Sequence, residues 1–257
     1  MTWIIELKRD IRFENLQDFD PNWLLFGIMV DPYRDDITDY FLTSPHLERY
    51  RDAPAAVNTA RDLSLLINGV FEIFAVEPTL HMGTHRMLCA EPLREIGRFS
   101  VWPAGLEFTM PYSALDEGWV NWRRTEREFR STVSGNFCAL CLHSKKIRNI
   151  ALTFGYLGVN WISLFSALEH LDLSDRDMIE RYGITNAQLS AFRGTANNFS
   201  ILGPAARHGA WRGAPPRRQT TLAEAREFVM GLVRREAQIL AQQPEFLDAM
   251  TLIHRAD

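Results

Sequence analysis

The sequence predicts an α+β protein: a small mixed α/β domain over residues 1–120, followed by an all-α helical bundle over residues 121–257. Short β-prone runs bounded by turn residues dominate the first part. From about Asn121, apolar residues recur instead at three- and four-residue steps, in successive segments opened by capping residues. No internal repeat or low-complexity tract competes with this division.

Trp3 to Lys8 and Leu24 to Val30 are apolar and β-prone, with Asp18, Asp20, Pro21 and Asn22 as turn material between them. Ala56, Ala60, Leu63, Ile67, Val70, Phe71 and Phe74 give residues 53–74 a helical spacing, although Gly69 weakens its continuity. Arg86 to Trp102 and Leu106 to Met110 read as strands, broken at Pro92, Gly97 and Pro103. Beyond them, Trp122 to Arg130 is charged and helix-prone, and Asn136 to Leu157 reads as one long helix. A third helical segment, Val159 to Leu171, carries Trp161, Leu164, Phe165, Leu168 and Leu171 on one face. Ser174 with Asp177 opens another, close to a capping box, and Thr185 caps a short one running to Arg193. Thr221 with Glu224 forms a full capping box before a helix striped by Leu222, Ala225, Val229, Leu232, Val233 and Ile239.

The 257 residues are 46% hydrophobic and 23% charged, ordinary for a globular protein, and seven Trp and sixteen Phe give the core large anchors. The odd set Cys89, Cys138 and Cys141 suits a reducing cytosol better than a disulfide framework. The start MTWIIELKRD turns charged too soon for a signal peptide, and no apolar run approaches the roughly 20 residues that span a bilayer. A soluble, cytoplasmic protein without a membrane partner is expected.

Metal binding is the weaker reading of CALCLH, which brings Cys138, Cys141 and His143 together, and of His81 and His85 upstream. Zinc requires four ligands, usually in spaced knuckles. Here the cysteines interrupt an apolar helical pattern of Phe137, Leu140 and Leu142, as buried thiols acting as small hydrophobes do. No metal and no cofactor is expected. Phosphate loops, nucleophile elbows and dinucleotide fingerprints are absent from the sequence.

The densest candidate chemistry lies in FRGTANNFSILGPAARHG, residues 192–209. Arg193, Asn197, Asn198, Arg207 and His208 fall in a turn-rich stretch between strongly helical ones, where binding groups tend to sit. His208 exchanges a proton near neutral pH, and Arg207 beside it suits a phosphate. From residue 193 to 218 there are five arginines (Arg193, Arg207, Arg212, Arg217, Arg218) and no acid, although the net charge of the chain is -4. That is a local basic patch, not a duplex track. Each residue also has a plain structural use: the glycines and asparagines close turns, and Arg207 can bind helix carbonyls. Glu169, in SALEHLDL beside His170, is either a capped surface charge or a carboxylate that orients a cation.

The run SALEHLD…FRGTANNFSILGPAARHG…RRQTTLAEAREFVMGLV resembles the C-terminal end of HEPN-like domains, helical RNA- and nucleotide-binding domains of toxins and antiviral systems. The likeness covers about residues 145–240. It implies a HEPN-like bundle that acts as a metal-independent endoribonuclease, with His208, Arg207, Asn197 and Glu169 catalytic. Arg193, Asn198, Arg212, Arg217 and Arg218 would then hold RNA phosphates. It also implies a homodimer through the C-terminal bundle and an antitoxin or defence-complex partner. The chain departs from the family in one respect: His208 directly follows Arg207, where HEPN ribonucleases separate the two by a few residues. The alternative is a non-catalytic nucleotide- or RNA-binding or dimerisation module.

Overall fold

Helix α1, Ala53–Phe74, is buried on nearly every side from Leu63 to Ile73, as befits a helix at the centre of a body rather than on its surface. In the computed structural model, residues 3–7, 27–30, 40–43, 47, 50–74, 82–90, 93–99, 137, 140–141, 144–207 and 216–246 are described. Among the described residues, five strands precede and follow α1: β1 (Trp3–Leu7), β2 (Gly27–Val30), β3 (Tyr40–Thr43), β4 (Met82–Ala90) and β5 (Leu93–Phe99). They pair antiparallel in the order β2-β3-β1-β4-β5, with Ile4 opposite both Thr43 and Leu88. Trp3 and Ile5, two apart on β1, share a face and join the same buried cluster as α1. The Trp3 indole N–H donates to the Tyr50 carbonyl at 2.9 Å.

The further helices among the described residues are α2 (Lys145–Leu157), α3 (Trp161–His170), α4 (Asp175–Tyr182), α5 (Asn186–Ala196), α6 (Phe199–Leu202) and α7 (Leu222–Ala241). Local sequence explains their ends. Ser144, Asn160, Ser174, Thr185, Asn198 and Thr221 each accept a backbone N–H at a helix start. Asn160, Thr185 and Thr221 form reciprocal capping boxes. Gly183 ends α4 in the left-handed conformation, which a side chain would disfavour. Because Ser144 caps α2, the long helix expected over residues 136–157 starts anew at Lys145.

Helices α1 and α2 cross with their backbones in contact. A Cβ on Gly69 would lie 1.7 Å from the Ala151 carbonyl oxygen, and one on Gly155 would lie 1.7 Å from that of Leu65. Gly69 is therefore the point of helix–helix approach rather than a break in α1. Helix α7 closes the other side, where Arg226 donates to the Glu72 carbonyl at 3.2 Å and satisfies an end of α1 that has no basic residue of its own.

These contacts correct the expected fold class. The described body is predominantly helical, and the long helix of the N-terminal half is its centre, packed chiefly on α2 of the C-terminal half. One apolar cluster runs from Trp3 and Ile5 through α1 to α7. A small mixed α/β domain followed by a separate all-α bundle is thus not the architecture. The sequence misleads here because periodicity locates α1 but says nothing of its partner across the chain. The boundary at 120/121, the helix over 122–130 and the strand over 106–110 lie outside the described residues. On α7, Ala225, Val229, Leu232 and Val233 are buried as expected, whereas Leu222 is exposed.

Candidate functional site

The end of α5 and the segment after it are closed into a loop by one backbone hydrogen bond, Arg207 N–H to the Ala196 carbonyl at 2.9 Å. Asn197 caps the C-terminus of α5, and Asn198 caps the N-terminus of α6, its Oδ1 accepting from Ser200 N–H at 3.0 Å. The chain then passes α6 and a single 3-10 turn, Gly203–Ala205, to reach Arg207. A strap returning from Pro216 to Thr220 borders the same end of α5. Thr220 N–H donates to Thr195 Oγ1 at 3.1 Å, and Pro216 fills the space a Cβ on Gly194 would need.

Arg207 is held from two directions. Its Nη2 donates to Glu169 Oε1 at 2.6 Å, and its guanidinium lies 4.0 Å from the centre of the Phe165 ring. Phe165 stacks on Phe192, which in turn meets Trp161 and Phe228, so an aromatic ladder from α3, α5 and α7 supports the cation. Glu169 thus orients a cation while remaining half exposed. His170 beside it is held below its ordinary pKa by burial, against an opposing pull from the Glu169 charge.

A second ion pair runs beside the first. Arg193 on α5 pairs with Asp175 at the start of α4. Glu169 and Asp175 flank the α3–α4 turn, where Asp172 adopts a left-handed φ of 53°. Arg218 approaches Glu224 at 3.5 Å on the exposed side of the strap, and Arg217 is exposed. Three of the arginines in the acid-free stretch therefore meet carboxylates supplied from elsewhere in the chain. His208 and Arg212 lie outside the described residues.

Sequence reasoning missed Asp175 and Phe165 as partners of this cluster. Asp175 reads as a first-turn acid of α4, and Phe165 as one of several core aromatics. It also missed a buried polar centre across α2, α4 and α7. Glu236, 1% exposed, accepts from Arg181 Nε at 2.7 Å, from the Tyr182 hydroxyl at 3.0 Å and from Lys146 Nζ at 3.2 Å. Burial pushes the Glu236 carboxyl up, but the Arg181, Tyr182 and Lys146 donors outweigh it and hold it below the usual range. Burial, then the Glu236 charge, pushes the Tyr182 phenol up. Three donors from two helices converge on this one carboxylate, the mark of a structural tie.

Among the described residues no cluster of His, Cys, Asp and Glu is arranged to hold a metal, and no helix is long and apolar enough to cross a membrane. Cys141 is buried and in no disulfide among the described residues, and Cys138, His81 and His143 lie outside the described residues. No protein-family model matches the chain, and no curated protein or solved structure is significantly similar to it.

Proposed function

We propose that the chain is a metal-independent endoribonuclease of toxin or antiphage type, acting in the cytoplasm as a homodimer, with its site at the junction of α3, α5 and α6. The observation that supports it best is the seating of Arg207. Carboxylate and aromatic ring fix its guanidinium one residue before His208, the chain's best candidate for proton transfer near neutral pH. In this reading the ribose 2′-oxygen attacks the adjacent phosphorus as His208 removes its proton. The P–O5′ bond breaks, the departing oxygen takes a proton, and a 2′,3′-cyclic phosphate remains. Arg207 offsets the charge that grows on the phosphoryl oxygens, and Glu169 positions Arg207. DNA has no 2′-hydroxyl and is inert.

The test is incubation of purified protein with bulk RNA, with and without EDTA, beside His208→Ala. The wild type is expected to cleave under both conditions and the variant under neither. Absence of wild-type cleavage removes the enzyme reading.

A second reading, a non-catalytic RNA- or nucleotide-binding module, has its own support. Asp175, Glu169 and Glu224 neutralise much of the positive charge that a highly active phosphate site would hold free. RNA binding without turnover would select it.

A further inference from the structure

Three buried side-chain atoms at the end of α5 have no hydrogen-bond partner among the described residues: Arg193 Nε, Asn197 Oδ1 and Asn198 Nδ2. They fall within six consecutive residues. Buried polar atoms are almost always matched, so such a cluster points to a missing partner. Asn198 is 1% exposed, and its Oδ1 is already taken by the Ser200 N–H and hydroxyl, which leaves the amide nitrogen as the unmatched group. Arg193 and Asn197 stand one helical turn apart, on the same face of α5. The set therefore offers two donors, one of them cationic, and one acceptor.

A ligand that completes this set is an anion with a hydroxyl donor beside it. Backbone phosphate and ribose 2′-hydroxyl are that pair in RNA, and DNA supplies only the first. The carboxylate that a ligand must displace from Arg193 is weakly held. Asp175 on Arg193 is more than half exposed, and half-exposed ion pairs contribute little. The strap meets this end of α5 through Thr220 and Pro216.

We propose that the end of α5 is the ribose-phosphate subsite of the RNA site. A backbone phosphate replaces Asp175 on Arg193 and accepts from Asn198 Nδ2, while Asn197 Oδ1 accepts from the 2′-hydroxyl of a ribose next to the one that is cleaved. This rests on the RNA-directed reading above, but it does not require cleavage. Asn197 becomes the residue that distinguishes RNA from DNA, and Asp175 a built-in competitor for phosphate.

The test is fluorescence anisotropy in the His208→Ala background, which keeps the substrate intact. The ligands are a single-stranded RNA, its 2′-O-methyl form and the DNA of matching sequence. RNA should bind about 3- to 10-fold tighter than either, the worth of one neutral hydrogen bond. Asn197→Ala should bring the three ligands level, and Asp175→Asn should tighten all three. The 2′-O-methyl comparison needs no change at the site, so a variant that misfolds does not blunt it. RNA bound with no preference over its 2′-O-methyl form, or a preference that survives Asn197→Ala, overturns this inference alone. No RNA binding at all overturns the RNA-directed reading together with it.

Discussion

Arg207 and Glu169, 38 positions apart in the chain, are joined by a 2.6 Å hydrogen bond between Nη2 and Oε1. Both side chains keep substantial solvent contact, at 31% and 52% exposure. A pair of that kind contributes under about 1 kcal/mol to stability, so its value lies in orientation. Glu169→Gln is expected to leave the melting temperature nearly unchanged and to lower RNA cleavage or binding. Arg207→Ala should lower it further, and the double variant should be no worse than Arg207→Ala. Additive losses would show that the two residues act separately.

The crossing of α1 and α2 gives a prediction opposite to helix propensity. An alanine inside a helix ordinarily gains about 1 kcal/mol over glycine. At Gly69 and Gly155 the added methyl meets a backbone carbonyl at 1.7 Å, and backbone does not yield as a side chain does. Gly69→Ala and Gly155→Ala should each destabilise by about 2 kcal/mol or more. Gly231, with open space around its Cβ position, is the control: Gly231→Ala should stabilise. Chemical denaturation of the three variants checks both signs.

What the sequence made legible follows the range of each interaction. Helices α1, α3, α4, α5 and α7 could be read because their signals, apolar spacing and the boxes at Thr185–Gln188 and Thr221–Glu224, are complete within a few residues. The role of Gly69 could not be read, since it depends on Ala151, and this is why α1 seemed to belong to a separate domain. The same limit affects the site. The stretch from 193 to 218 looks acid-free because Asp175, Glu169 and Glu224 lie outside it in sequence, yet they stand against its arginines in space. Glu236 sits among Arg235, Ala237 and Gln238 like any surface charge, and burial alone distinguishes it.

Asp62 on α1 predicts a stability that improves on mild acidification. Burial raises its carboxyl from 3.8 to about 6, against the opposing pull of Arg61 at 3.7 Å. Between those two values the folded chain binds more protons than the unfolded one, so stability falls as pH rises through the window. Above pH 6 the ionised carboxylate costs up to about 3 kcal/mol, at 1.36 kcal/mol per pH unit. Asp62→Asn should therefore be more stable than the wild type at pH 7.5 and similar to it below pH 4. Equal denaturation midpoints at pH 7.5 would show that this carboxyl is better solvated than its burial implies.

Glu236 carries the opposite sign. Its folded carboxyl is held below the usual range because Arg181, Tyr182 and Lys146 outweigh the effect of burial. The stability it contributes is thus present above the unfolded carboxylate value, about 4.3, and is lost as pH falls through the lower folded value. Removing the carboxylate leaves the Tyr182 hydroxyl and two cations without their acceptor, and loosens α2 and α4 from α7. Glu236→Ala is expected to cost about 3–5 kcal/mol, in line with broken buried pairs. Glu236→Gln keeps the shape and one acceptor, so it should cost less, but it should also flatten the loss of stability below pH 4. Denaturation curves of wild type and both variants from pH 3 to pH 8 separate the two effects. If Glu236→Gln keeps the full acid sensitivity of the wild type, some other carboxylate governs acid unfolding.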